Sequence, residues 1–191
     1  MQARAEAAEA ATERILDAAL ELFWENPARE IVLAKVAARA GVSVHSVIRR
    51  FGGREGVEEA AVERAARRAI AQRAEAKPGD LAGAVANLID HYEEMGEGVL
   101  AMLAAETRTP SLHERLERGR KFHADWCARV FAPAFAGRSG PDRRRLHAQL
   151  IAICDVQTWN LLRRVRGLSR QQSERALIEM LEPLLNGRNS S

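Results

Sequence analysis

The sequence predicts an all-α protein of about nine helices. Two observations lead there. Apolar residues recur at three- and four-residue spacing along nearly the whole of its 191 residues. The periodic runs are parted by short Gly- or Pro-bearing breaks at "ENPAR", "ARAGVS", "RFGGRE", "AKPGD" and Gly167, several of them beside helix-start residues such as Ser43, Pro141 and Ser169.

Taken in order, "TERILDAALELFWEN" sets Ile15, Ala18, Ala19, Leu22 and Phe23 on one face. Thr12 and Asp17 suit its start and Pro27 ends it near Asn26, which leaves residues 1–11 as an N-terminal tail. A second, short helix carries Leu33, Val36, Ala37 and Ala40 and stops at Gly41. Ser43 caps a third over Val44–Phe51, with Val47, Ile48 and Phe51 inward and His45, Ser46, Arg49 and Arg50 outward. "GGRE" breaks that helix. "REGVEEAAVERAARRAIAQRAEA" follows as a long alanine-rich helix with charges over much of its surface, and "KPGD" ends it.

The rest alternates helical patterns: "DLAGAVANLIDHYEEM", "GVLAMLAAE", "SLHERLERGRKFHADWCARVFAPAF", "PDRRRLHAQLIAICDVQTWNLLRRVRG" and "SRQQSERALIEMLEPLLNG". Pro141 and Asp142 open the fourth of these and Gly167 closes it, while Ser169 with Gln172 forms a capping box for the last. Leu150, Ile153, Val156 and Leu161 lie on more than one face of the fourth, and Leu177, Met180, Leu181 and Leu184 form one stripe on the last. A helix apolar most of the way round needs cover on two sides, so these eight residues are the candidate dimer interface of a four-helix bundle. The alternative is a monomer whose core takes in both helices. Arg143–Arg145 and "RRVR" at 163–166 read as solvated ends.

The formal net charge of +3 says little, but its placement says more. Residues 1–56 hold eight basic and eight acidic residues, yet Ile31–Arg54 has five bases and no acid. A helix, a Gly-bearing turn and a short basic helix make the arrangement of a helix-turn-helix unit, whose second helix fits the DNA major groove. The same pattern also suits a plain helical bundle with a solvated basic surface.

Residues 12 to about 60 resemble the DNA-binding domain of the tetracycline-repressor (TetR) family of bacterial transcriptional regulators, through "RILDAALELF", "VAARAGVS" and "FGGRE". The resemblance implies that Val44, His45 and Ser46 approach base edges, and that Arg49, Arg50 and Arg54 meet phosphate or base. It implies a helix-turn-helix domain over 12–56, a connecting helix over 57–78, a ligand-binding and dimerisation domain over 79–187 and a tail at 188–191. Family members commonly have a threonine before the second helix and a tyrosine in the third. Val32 and Ile48 stand there instead, so two phosphate contacts are missing.

Leu88, Tyr92, Met95, Met102, Phe122, Trp126 and Trp159 are candidates for an apolar effector pocket, and the same residues serve equally as plain core. Asn87, His91, Asp155, Gln157, Thr158 and Asn160 are the polar groups available to orient a ligand. The five histidines lack the paired spacing of a helical metal site, and no nucleotide, phosphate or nucleophile motif is present, so no metal, no cofactor and no enzymatic activity is expected. Cys127 and Cys154 fall in separate apolar patterns without CxxC spacing, which suits small buried hydrophobes in a reducing cytoplasm. No apolar span has the length of a membrane helix. The expected protein is a dimeric, ligand-responsive regulator, a repressor of double-stranded operator DNA released by a small apolar or aromatic effector. The alternative is a helical adaptor of the same fold that binds no operator.

Overall fold

The computed structural model describes residues 2–27, 29–108 and 110–186; Gly187 and the tail at 188–191 lie outside the described residues. Its helices are α1 (Gln2–Glu25), α2 (Leu33–Ala40), α3 (Val44–Phe51), α4 (Arg54–Ala74), α5 (Leu81–Ala105), α6 (Pro110–Val130), α7 (Gly140–Ile153), α8 (Val156–Asn160) and α9 (Arg170–Asn186). Short 3-10 turns flank α6, and α8 runs into a π-helical turn over Leu161–Val165. Among the described residues none is in a strand, and no helix is long and apolar enough to cross a membrane.

The local signals act largely as expected at the first three helices. Gly41 takes the left-handed conformation (φ 67°) that closes α2. The Ser43 hydroxyl accepts from the Ser46 N–H at 3.2 Å and opens α3. Val32 precedes α2 without any side-chain cap. The first helix differs: it begins at Gln2, and Thr12 lies inside it with its hydroxyl donating to the Ala8 carbonyl. The alanines and glutamates before Thr12 are good helix formers, so the turn extends upstream.

The expected break between "EEM" and "GVL" is absent, and α5 runs unbroken through Gly96 and Gly98. Tertiary packing explains both glycines. A Cβ on Gly96 would lie 2.6 Å from Cζ3 of Trp159, and one on Gly98 would lie 2.3 Å from the Trp24 ring. Each glycine is a seat for an indole. Conversely, the single helix read from Pro141 to Gly167 is two, parted at Cys154–Asp155. Asp155 caps α8 by accepting from the Gln157 N–H at 2.8 Å, and the Tyr92 hydroxyl donates to the Cys154 carbonyl that the break frees. The capping box of α9 forms in both directions: Ser169 N–H to the Gln172 side chain at 2.8 Å, and Gln172 N–H to the Ser169 hydroxyl at 3.2 Å.

Two apolar cores result. The first joins α1–α4 to the far end of α5 and the start of α6 through Met102, Ala105, Leu112 and Leu116. The second gathers Leu88, Tyr92, Trp126, Leu150, Trp159, Leu177 and their neighbours from α5–α9. Gly96→Leu is expected to lower the melting temperature by about 4–10 °C, because overpacking costs roughly 1–3 kcal/mol. Gly119→Ala, where a Cβ meets nothing within 4 Å, is the control and should leave melting unchanged or raise it.

Candidate nucleic-acid interface and regulatory core

The recognition surface is built on Val47, which is fully buried under α3 against the first core. From that anchor the helix turns Val44, His45 and Arg49 outward, with Ser46 half-covered through its bonds to Ser43. Ile48 does not point inward as its spacing suggested: it is 44% exposed. An eight-residue helix on a narrow support buries only one turn-to-turn position fully, and Phe51, half-buried, takes the place Ile48 was expected to share. Val32 and Ile48, the two departures noted in the sequence, therefore both face solvent.

The arginines divide. Arg49 makes no ion pair among the described residues. Arg50 turns back to α1, donating to the Ala8 carbonyl at 3.1 Å and the Thr12 hydroxyl at 3.3 Å, so it braces α3 as much as it presents charge. Arg54, at the start of α4, is held by Glu30 at 3.1 Å and Glu55 at 3.6 Å, two exposed acids whose solvated pairs hold it only weakly.

Of the seven effector-pocket candidates, the structure brings Leu88, Tyr92, Trp126 and Trp159 together in the second core. Met102 belongs to the first core instead, because α5 is long enough to reach both. Phe122 is half-buried. Met95 lines a groove of about 390 Å³ between α1, α4 and α5, together with Trp24, Gln72 and His91. Several of the polar candidates are already engaged: Asn87 and Gln72 exchange bonds between α4 and α5 at 2.6 and 2.8 Å, Asp155 caps α8, and Thr158 donates to the Ala152 carbonyl.

Two buried arginines on α4 went unrecognised in the sequence, where "VERAARRAIAQRA" reads as a charged surface. The signal was the alanines, since Ala61 and Ala65 leave room for a long side chain to lie down in the interface. Arg64, 6% exposed, bridges to Glu13 at 2.6 Å and to Asp17, pinning α4 on α1. Arg73, 1% exposed, lies over the Trp126 ring at 3.6 Å, and among the described residues its side chain reaches only His123 Nδ1, at 3.4 Å. Burial pulls its pKa down, and its Nε and Nη1 have no acceptor among the described residues. The α4 terminus around it is tied to α6 through Trp126 and Arg129, which donate to the Arg73 carbonyl at 3.0 and 2.9 Å.

Cys127 and Cys154 are both buried and free. A hydrogen bond from Cys154, followed by His123 and Arg73, draws the Cys127 thiol down to about 5 against the opposing effect of burial. Cys154 is pushed up by the same pairing and by burial. His91 is held down to about 3, chiefly by burial and then by the Arg73 and His123 charges.

The candidate dimer residues also divide. Leu150, Val156, Leu177 and Leu181 are buried within their own subunit, and Ile153 and Leu184 are partly so. Leu161 and Met180 are exposed, joined by Val165 at 63%. "RRVR" is not merely a solvated end: Arg163 and Arg164 pair with Glu93 and Glu97 of α5 at 2.5 Å, and Arg164 lies over Trp159.

A helix-turn-helix head with an exposed basic recognition helix, carried on a second helical core, defines the class of DNA-binding transcriptional regulators. The family model of bacterial regulatory proteins, tetR family, matches residues 15–61, the segment that holds α2, α3 and the start of α4. Beyond it, the whole fold is similar to solved regulators. A transcriptional regulator from Rhodococcus sp. Rha1 superposes with a TM-score of 0.67 at 20% identity, covering 94% of this chain and 98% of the other. A TetR-family regulator from Rhodococcus sp. gives 0.60 at 22%, covering 93% and 99%. A regulator from Saccharomonospora viridis, solved in complex with choline, gives 0.61 at 18%, covering 90% and 95%. Among curated proteins none matches the sequence.

Proposed function

We propose that the chain is a cytoplasmic, ligand-responsive repressor that binds a pseudo-palindromic operator as a homodimer. The carrying observation is the recognition helix: Val47 fixes it from beneath, and Val44, His45, Ser46 and Arg49 occupy its free side. In this reading residues 12–56 are the reading head, 57–78 connect it, and 79–187 bind effector and partner. Val44, His45 and Ser46 meet base edges, and Ile48 offers an apolar contact to a thymine methyl. Arg49 and Arg54 engage phosphate or a guanine, with Arg50 bracing the helix from behind. Leu161, Val165 and Met180 supply the apolar centre of the subunit interface.

A small-molecule effector is supported by the helical core that α4 shares with α5 and α6, and by the similar regulator that holds choline. The effector acts by binding the DNA-incompetent arrangement more tightly, since equal affinity for both would shift nothing. The test is selection of bound fragments from the source genome, followed by titration of the selected fragment at several salt concentrations. Saturable binding that weakens with salt and prefers a two-fold-related site is expected. Binding to no fragment by a folded dimer would leave the adaptor reading, which the exposed Val32 and Ile48 favour.

A further inference from the structure

Two buried arginines stand nine residues apart on α4, and among the described residues only one of them pairs with carboxylates. Nine residues are two and a half helical turns, so the side chains leave opposite sides of the helix. Arg64 faces α1 and finds two carboxylates, Glu13 and Asp17. Arg73 faces the second core, where among the described residues no carboxylate pairs with it. Trp126 covers one face of its guanidinium, His123 touches Nη2, and the N–H groups of Nε and Nη1 point at no acceptor. A cation so deeply buried is ordinarily paired or hydrogen-bonded throughout, and each exception needs an explanation.

The surroundings deepen the contrast. Arg129 adds a second positive charge and uses its own donors on the Ala76 and Arg73 carbonyls, at 2.7 and 2.9 Å. His91 is kept neutral beside them. The guanidinium is buried with the Trp126 ring over one face, so the spot favours a single negative charge on an apolar body.

We propose that Arg73 anchors the effector by receiving the carboxylate of a small aromatic or apolar acid, whose hydrophobic part packs against Trp126 and Tyr92. This rests on the ligand-responsive reading above and gives the effector its chemical class. One guanidinium balances one carboxylate, whereas a dianionic phosphate would carry uncompensated charge into the core. The groove between α1, α4 and α5 is lined by His91 and by Gln72, the residue that precedes Arg73 on α4. An acid seated there loads the C-terminal end of α4. The N-terminal end of the same helix carries Arg54, and Arg64 couples its middle to α1, so the load reaches the reading head through one rigid element.

The test compares benzoate, phenylacetate and hexanoate with their uncharged amides and with choline, on the full-length dimer and on Arg73→Met. Thermal shift and tryptophan fluorescence report binding, and titration of the selected operator reports release. The acids are expected to raise the melting temperature by several degrees and to bind at least tenfold more tightly than the amides. Arg73→Met should bind acid and amide alike and, without any ligand, melt no lower than the wild type. If Arg73→Met does not fold, Arg73→Lys, which keeps the charge, should retain the preference for acid, and the acid-to-amide ratio on the wild type decides alone. Equal binding of acid and amide, undiminished acid binding by Arg73→Met, or no binding of any acid at millimolar concentration overturns the proposal. A Cys127 thiolate band at neutral pH together with indifference to acids would overturn it too, by placing the counter-charge in the chain itself. Acids that bind through Arg73 yet leave operator affinity unchanged would keep the anchor and sink the ligand-responsive reading. Release by choline or an amide, with no binding of acids, would do the reverse.

Discussion

Replacing Arg49 and Arg54 together by alanine is expected to cut affinity for the selected operator about a thousandfold in a protein that remains a folded dimer. Two side chains in each of two subunits remove four charge-assisted contacts, and at on the order of 1 kcal/mol each these amount to about three powers of ten. Salt dependence separates this loss from a local misfold. Each lost phosphate contact flattens the slope of log affinity against log salt by about 0.9, so the double variant should lose about 3.6 in all. Stability should hardly change, because Arg49 is exposed without an ion pair among the described residues and the Arg54 partners, Glu30 and Glu55, are themselves exposed. His45→Ala should behave differently, shifting preference at one base pair by roughly 1–3 kcal/mol with the salt slope intact. Unchanged operator affinity in the double variant would mean that the acid-free basic segment is only a solvated surface.

Much of this head was legible because its signals are local. Gly41, Ser43 and the "GGRE" break act on their own backbone, so the structure places α2, α3 and the start of α4 where these residues indicate. What was illegible depends on partners remote in sequence. Gly96 and Gly98 look like helix breakers until Trp159 and Trp24 arrive to fill the space they leave. The run from Pro141 to Gly167 looks like one helix until Asp155 caps a second start, and Tyr92, 62 residues away from Cys154, takes up the freed carbonyl. Arg64 and Arg73 look like solvated charges because periodicity weighs a residue by its type, whereas their burial follows from alanines that let neighbouring helices close over them.

The proposed interface residues were the hardest to separate, since a helix covered on two sides shows the same apolar pattern toward its own core and toward a partner. Exposure divides the candidates between core and surface. Leu161, Val165 and Met180 are uncovered in the subunit, while Leu150 and Leu177 are at most 1% exposed. Leu161→Asp with Val165→Asp is therefore expected to give a folded monomer at micromolar concentration. In the isolated subunit both aspartates meet water, and exposed substitutions stay within about 0.5 kcal/mol. In a two-fold dimer each is buried twice without a partner, at several kcal/mol per buried charge, which exceeds what an ordinary interface retains. Leu177→Asp is the contrasting control and should unfold the subunit itself, because that position lies inside the second core. Sedimentation distinguishes the two outcomes, and operator titration adds a third readout: a monomer presents one reading head, so it loses the gain from binding two half-sites together. A double variant that sediments as a dimer would place the interface away from this face, and the two-headed arrangement would have to be rebuilt on another surface.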